Sequence, residues 1–427
     1  MNAPALRLIA LRVPIFIKWL GRATSFLHGS FVPSLVLAAL ILVPGPASAQ
    51  IKAPGTYDPA FVEQILRRLE AQEKELKELR AANGSGSDAP SNEVAKPDLL
   101  PQLAFHGFGD ISYRWDNEKA GHRNSFALGQ LDFFVTSQLA DNLSVLGETV
   151  IEADSMNNFA IEIERLLLQW RLSEYFNLDM GRYHTAVGYY NTAYHHGSWF
   201  QTAAGRPSFL DFEDGGGLIP AHNVGLSMNG HIPSGSLNLS YIAEVGNGRP
   251  YRDPSSGHAP VLNISDDNEY KAVNLAFIAR PDWASGLQVG AGLYFDRVAP
   301  ERQPRTDELM LHAHAVYKSG PWEFLSEGYF VRHTPKGGSA SVTPAFFAQM
   351  ARKFGVLTPY ARFAYVNASE HDAVWQLIGS NGLRYGPGVG LRWDFSSLAA
   401  IKVQYDLLKR RGFSDLSTLT WQVCFTF

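Results

Sequence analysis

The last eleven residues, Ser417 to Phe427, read STLTWQVCFTF. Leu419, Trp421, Val423, Phe425 and Phe427 alternate with Thr418, Thr420, Gln422, Cys424 and Thr426, so one face is wholly apolar and the other small and polar. This is a strand of period two. It finishes on an aromatic ring with no turn, cap or polar tail behind it, and in water such an edge would template aggregation. A closed barrel in a bilayer removes the edge and places the apolar face in lipid. Cys424, the single cysteine, then falls on the inward face as a small residue, and no internal disulfide is possible.

The same alternation recurs upstream. Segments of this kind fall at about 103–116, 125–140, 143–154, 159–172, 176–185, 220–232, 237–248 and 268–282. They continue at 287–299, 308–320, 322–334, 343–353, 356–368, 383–396, 398–410 and 417–427. Each is near or above the roughly 9 to 11 residues that a tilted membrane strand needs. The links after even-numbered segments are tight, as at Asp141-Asn142, Pro233-Ser234-Gly235, Phe354-Gly355 and Ser396-Ser397. Those after odd-numbered segments are mostly longer and polar, as at 117–124, 186–219, 249–267 and 369–382. An up-and-down barrel with turns at one rim and loops at the other produces this alternation, whereas a β-sandwich has no reason to sustain it. The fold class is therefore all-β, a transmembrane antiparallel up-and-down barrel of about sixteen strands. Trp170, Trp283, Trp322 and Trp393 sit beside tight turns and Trp115 near a long link, as an interfacial aromatic girdle requires.

Alternation also assigns faces. Lys402, Gln404 and Asp406 point inward and Ile401, Val403, Tyr405 and Leu407 outward; Arg384, Arg392 and Asp394 point inward beside outward Tyr385, Val389, Leu391 and Trp393. The fourth segment changes phase between Ile163 and Leu166, which predicts a bulge near Glu164-Arg165. A polar inward face over sixteen strands implies a wet interior.

Residues 1–49 carry Arg7, Arg12, Lys18 and Arg22 and no acid, then an apolar run from Phe31 to Val43 and Ala47-Ser48-Ala49, the pattern of a cleaved secretory leader. Removing those four from the 37 basic residues leaves 33 against 41 acidic, a net charge of about −8 with no nucleic-acid footprint. A short mature start at 50–57 precedes residues 58–82. There Val62, Ile65, Leu69, Gln72, Leu76 and Leu79 form a heptad seam, and a Gly/Ser/Pro-rich linker follows at 83–102. The seam predicts a periplasmic coiled coil that either self-associates or tethers the barrel to another envelope component. The barrel itself spans 103–427.

The longest link, Ala186 to Ile219, is too rich in aromatics for a loop in solvent and is expected to fold into the barrel. There Asp211, Glu213 and Asp214 would face a basic wall of Arg362, Arg384, Arg392 and Lys402, forming a constriction with a transverse field. His184, His195, His196 and His222 lie in or near this loop without the tight spacing of a zinc motif, so no metal site and no cofactor is expected. Ser198 beside His195 and His196 has no recognisable hydrolase motif around it, and no enzyme activity is expected, an outer-membrane hydrolase being the least favoured alternative.

The terminal Phe strand resembles that of bacterial outer-membrane barrels, which implies recognition by the outer-membrane barrel assembly machinery. Leader, coil, sixteen-strand pattern and terminal strand together resemble a Gram-negative porin, and Met180-Gly181-Arg182-Tyr183 resembles the phosphate-selective porin O and P family. The resemblance implies a homotrimer in the outer membrane, in contact with outer-membrane lipid and lipopolysaccharide, that passes small hydrophilic or charged solutes by passive diffusion. The few lysines and interspersed acids depart from that family's basic lumen.

Overall fold

The structure, a computed structural model, describes residues 103–427 apart from 119–123, 154–158, 195–196, 213–215, 250–263, 267, 300–303 and 378. The expected leader, mature start, helix at 58–82 and linker lie outside the described residues.

Sixteen strands close on themselves. The first eight are β1 Leu103–Asp116, β2 Ser125–Ala140, β3 Leu143–Ala153, β4 Phe159–Arg171, β5 Asn177–His184, β6 His222–Ile232, β7 Leu239–Gly246 and β8 Ala272–Ala279. The second eight are β9 Leu287–Val298, β10 Thr306–Ser319, β11 Trp322–Pro335, β12 Ser341–Arg352, β13 Leu357–Ala368, β14 Gly382–Trp393, β15 Ala399–Arg410 and β16 Leu416–Thr426. Every strand pairs antiparallel with its sequence neighbours, and β1 pairs with β16. The only helical turns among the described residues are short, including α1 (Tyr190–Ala193) and α2 (Ala373–Leu377).

Closure runs from Phe108 opposite Thr426 to Asp116 opposite Thr418. Gly107 and Phe427 then exchange two backbone hydrogen bonds, of 2.9 and 3.0 Å. The rings of Phe427 and Phe425 lie over Gly107 and Gly109, where a Cβ would collide with them. The glycines are thus the shelf on which the terminal aromatics rest. Cys424 is fully buried beside Ala400.

The expected bulge is present: Glu148 pairs with Arg165 and Thr149 with Ile163, leaving Glu164 as the extra residue. It shifts Ile161 and Ile163 into register with Leu166 and Trp170 on the exposed outer face. The bulge has a second consequence. β4 pairs with β5 only through Leu166–Arg171, so the upper half of β4 has no ladder on that side. Gly181, one rung before the end of the shortened ladder, sits at φ 132°, where a Cβ would strike the Leu166 carbonyl. Trp115, Trp170, Trp283, Trp322 and Trp393 are all exposed at strand ends or turns, as a girdle demands.

The interior is less uniformly wet than alternation predicts. Tyr294, Met310, Leu325, Tyr329, Val331 and Phe347 on β9 to β12 point inward and bury against Val187, Tyr190, Tyr194, Phe209, Leu210, Leu218 and Ile219. Those seven residues all belong to the long connection between β5 and β6. The inner wall is apolar here because it faces a folded loop instead of water.

Two outcomes follow. Gly107→Leu, or deletion of Phe427, lowers the yield of heat-modifiable folded barrel on electrophoresis, because closure loses its aromatic shelf. Phe209→Ala, at a fully buried site, destabilises the loop core by about 3–5 kcal/mol, read by denaturant unfolding, while the β-sheet circular dichroism is retained.

Candidate functional site: the inserted loop and its charged wall

Residues 185–221 leave and re-enter the wall at a closed neck. Thr185 N–H donates to the Ala221 carbonyl at 3.0 Å, and the Asn191 amide donates to the carbonyls of both Thr185 and Ala221, at 2.8 and 2.9 Å. Inside the barrel, the loop backbone finds partners on wall side chains. Ala186 N–H donates to Glu244 of β7 at 3.0 Å, Gly188 N–H to His312 of β10 at 3.1 Å, and Tyr189 and Tyr190 N–H to Glu327 of β11 at 3.1 and 2.7 Å. Glu327 therefore receives the exposed amides at the start of α1, and Tyr329 donates its hydroxyl to the same carboxylate. Gly188 permits the approach: its φ is 79°, and a Cβ would overlap Tyr329 and Glu327.

Further along, the loop turns its carbonyls outward and the wall answers with donors. Lys402 of β15 donates to the carbonyls of Ser198 and Ala203, the latter at 3.2 Å. Arg392 of β14 donates to Trp199 and Gln201 carbonyls at 2.7 and 2.8 Å, stacks over the Trp199 ring and pairs with Asp394. Arg362 of β13 donates to the Gly205 carbonyl at 2.9 Å and pairs with Asp406 at 3.2 Å. Tyr360 and Gln404 accept from Ala204 N–H at 3.1 and 3.0 Å. Acceptor side chains on β7 to β11 thus hold the first part of the loop, and mainly cationic donors on β13 to β15 hold the middle.

Of the four basic residues expected on one wall, Arg362 lies on β13, Arg384 and Arg392 on β14 and Lys402 on β15, in different environments. Lys402 is wholly enclosed (0% exposed), because its ammonium is spent on loop carbonyls. Arg384 donates to the Ser380 carbonyl at 3.1 Å. Asp211 is half-buried on the loop, within electrostatic reach of Arg206, Arg362, Arg384 and Arg114. Burial raises its carboxyl to about 7 in spite of those four guanidinium groups. Glu213 and Asp214 lie outside the described residues, as do His195 and His196. The docking roles of Glu244, His312, Glu327 and Tyr360 were not read from the sequence. The signal was the presence of inward acids and histidines on strands that also carry inward apolar residues such as Met310, Val316, Leu325 and Val331. Among the described residues, one histidine pair converges with an acid: Glu164, His184 and His222, all buried, place ligand atoms within 4.8 Å of one another.

No family model matches the sequence. No curated protein matches it either. Solved structures do. An anion-selective porin from Comamonas acidovorans superposes with a TM-score of 0.54 at 13% identity, over 77% of this chain and 100% of the porin. The outer membrane channel DcaP of Acinetobacter baumannii gives 0.54 at 10% identity over 78% and 99%. OmpT, an outer membrane protein of Vibrio cholerae in its trimer form, gives 0.51 at 11% identity over 77% and 99%. At these identities the likeness is one of architecture, and the chain has the sixteen-strand barrel fold seen in outer-membrane porins and channels.

Proposed function

We propose that the protein is a porin of the Gram-negative outer membrane, a passive channel for small hydrophilic or charged solutes, in which the loop at 185–221 forms the constriction. The observation that carries this reading is the docking of that loop across the interior by main-chain bonds to β7, β10, β11, β13, β14 and β15. A loop held at so many points stays in the lumen, and it holds Asp211 opposite Arg384, Arg362 and Arg114. Opposed fixed charges in a narrow wet passage orient polar solutes and set ion preference. Glu213 and Asp214, next in sequence, belong to the same acidic rim in this reading. Arg392 and Lys402 act there as anchors and as sources of positive field.

The same reading assigns 1–49 to a secretory leader, 58–82 to a periplasmic coil and 103–427 to a barrel delivered by the assembly machinery into lipid and lipopolysaccharide. The trimer form of OmpT supports a homotrimer. The Met180–Tyr183 resemblance to phosphate-selective porins rests locally on Gly181, whose backbone conformation favours glycine on its own account. Because Arg362, Arg392 and Lys402 direct donors to loop carbonyls, a mixed-charge passage fits better than a basic ladder for phosphate.

Planar-bilayer recordings test the constriction. A unit charge roughly 4 Å away in water is worth about 1 kcal/mol, so Arg384→Ala should move the cation-to-anion permeability ratio about five-fold toward cations, and Asp211→Asn should move it toward anions. Unchanged reversal potentials in both variants would refute the assignment. The pH response has a definite sign: Asp211 is charged above a pH of about 7 and neutral below it. Wild-type selectivity should therefore drift toward anions as pH falls from about 8 to 6, and Asp211→Asn should lose that drift.

A further inference from the structure

We infer that Glu164, His184 and His222 form a binding site for a divalent late transition ion of the zinc class, built into the wall where the β4–β5 ladder stops. The three side chains come from three consecutive strands: the bulge of β4, the last residue of β5 and the first residue of β6. Their ligand atoms lie within 4.8 Å of one another and all three are buried. His222 Nε2 already touches the Glu164 carboxylate, and the two imidazole centroids are 5.5 Å apart. Two imidazoles and a carboxylate are a donor set for zinc and its neighbours, which sit about 2.0–2.2 Å from each donor. Small side-chain adjustments would draw these atoms around one ion.

Two surrounding features favour a cation. Glu148 lies 3.6 Å from His184 Nε2 and offers a fourth donor, an oxygen, though Arg165 already pairs with it. Asp132 is 1% exposed, within electrostatic reach of Glu148 and Glu164, and neither of its carboxylate oxygens has a hydrogen-bond partner among the described residues. Arg182 balances part of this charge, at 4.0 Å from Glu164. Glu148 and Glu164 are matched by the guanidinium groups of Arg165 and Arg182, while the buried Asp132 carboxyl oxygens are left without a hydrogen-bond partner among the described residues. A divalent ion would tie β4 to β5 and β6 across the stretch where β4–β5 backbone hydrogen bonds are missing.

The test uses the full chain, folded in detergent, stripped with chelator and dialysed against Zn2+ at pH 7.5. Atomic emission should find one zinc per chain in the wild type, and calorimetry should show affinity at least about ten-fold weaker in His184→Ala and His222→Ala. Co2+ substitution should give visible d–d absorption that Glu164→Gln and His222→Gln, the conservative variants, diminish. Zn2+ should also raise the heat-modifiability midpoint of the wild type and leave that of His222→Gln unmoved. No zinc uptake by the wild type, or equal uptake and equal affinity in the folded variants, would overturn the site and leave an ion-pair network in its place.

Discussion

A buried backbone amide that water does not reach has to donate to another part of the chain. Much of this structure meets that constraint at successive depths. The wall meets it with antiparallel ladders that close between β1 and β16, leaving no edge. Loop 185–221 has almost no regular structure among its described residues and meets it by borrowing side chains: carboxylates and an imidazole accept from its amides, and ammonium and guanidinium groups donate to its carbonyls. Where the wall is interrupted beside the β4 bulge, buried Glu, His and Arg side chains gather at the gap.

Charge in this barrel therefore has two uses, and burial separates them. Lys402 and Arg392 are held by carbonyl oxygens and contribute chiefly to holding the loop in place. Arg114 keeps more contact with water, being 54% exposed along its side chain. The loop that Lys402 and Arg392 hold also carries Asp211 within electrostatic reach of Arg362, Arg384 and Arg114, and Arg362 serves both ways, donating to the Gly205 carbonyl while it acts on Asp211.

The wall was legible almost residue by residue because strands with an apolar outer face and a polar inner one follow a strict period of two. Several boundaries, such as Leu103–Asp116 and Ser125–Ala140, coincide with those read from alternation, and the phase change between Ile163 and Leu166 located the bulge. The interior was less legible. In β10, Leu309, Met310 and Leu311 follow one another as apolar residues, and nothing in the sequence says that Met310 packs on a loop while Leu311 stays exposed. The candidate site joins groups far apart in the chain: Lys402 reaches Ser198 across 204 positions, and Glu164 meets His222 only because a bulge and a shortened ladder bring them together. Spacing carries no record of such meetings.

The wall recognises the loop largely through its main chain. Glu244, Glu327 and His312 accept from N–H groups, and Lys402, Arg362 and Arg392 donate to carbonyls, atoms that every residue supplies regardless of type. Loop side chains outside the apolar core are therefore open to evolutionary drift without loss of the loop's seat. Over generations, the chemistry of the barrel's interior can change through substitutions confined to one loop, while the sixteen strands and their anchors stay as they are.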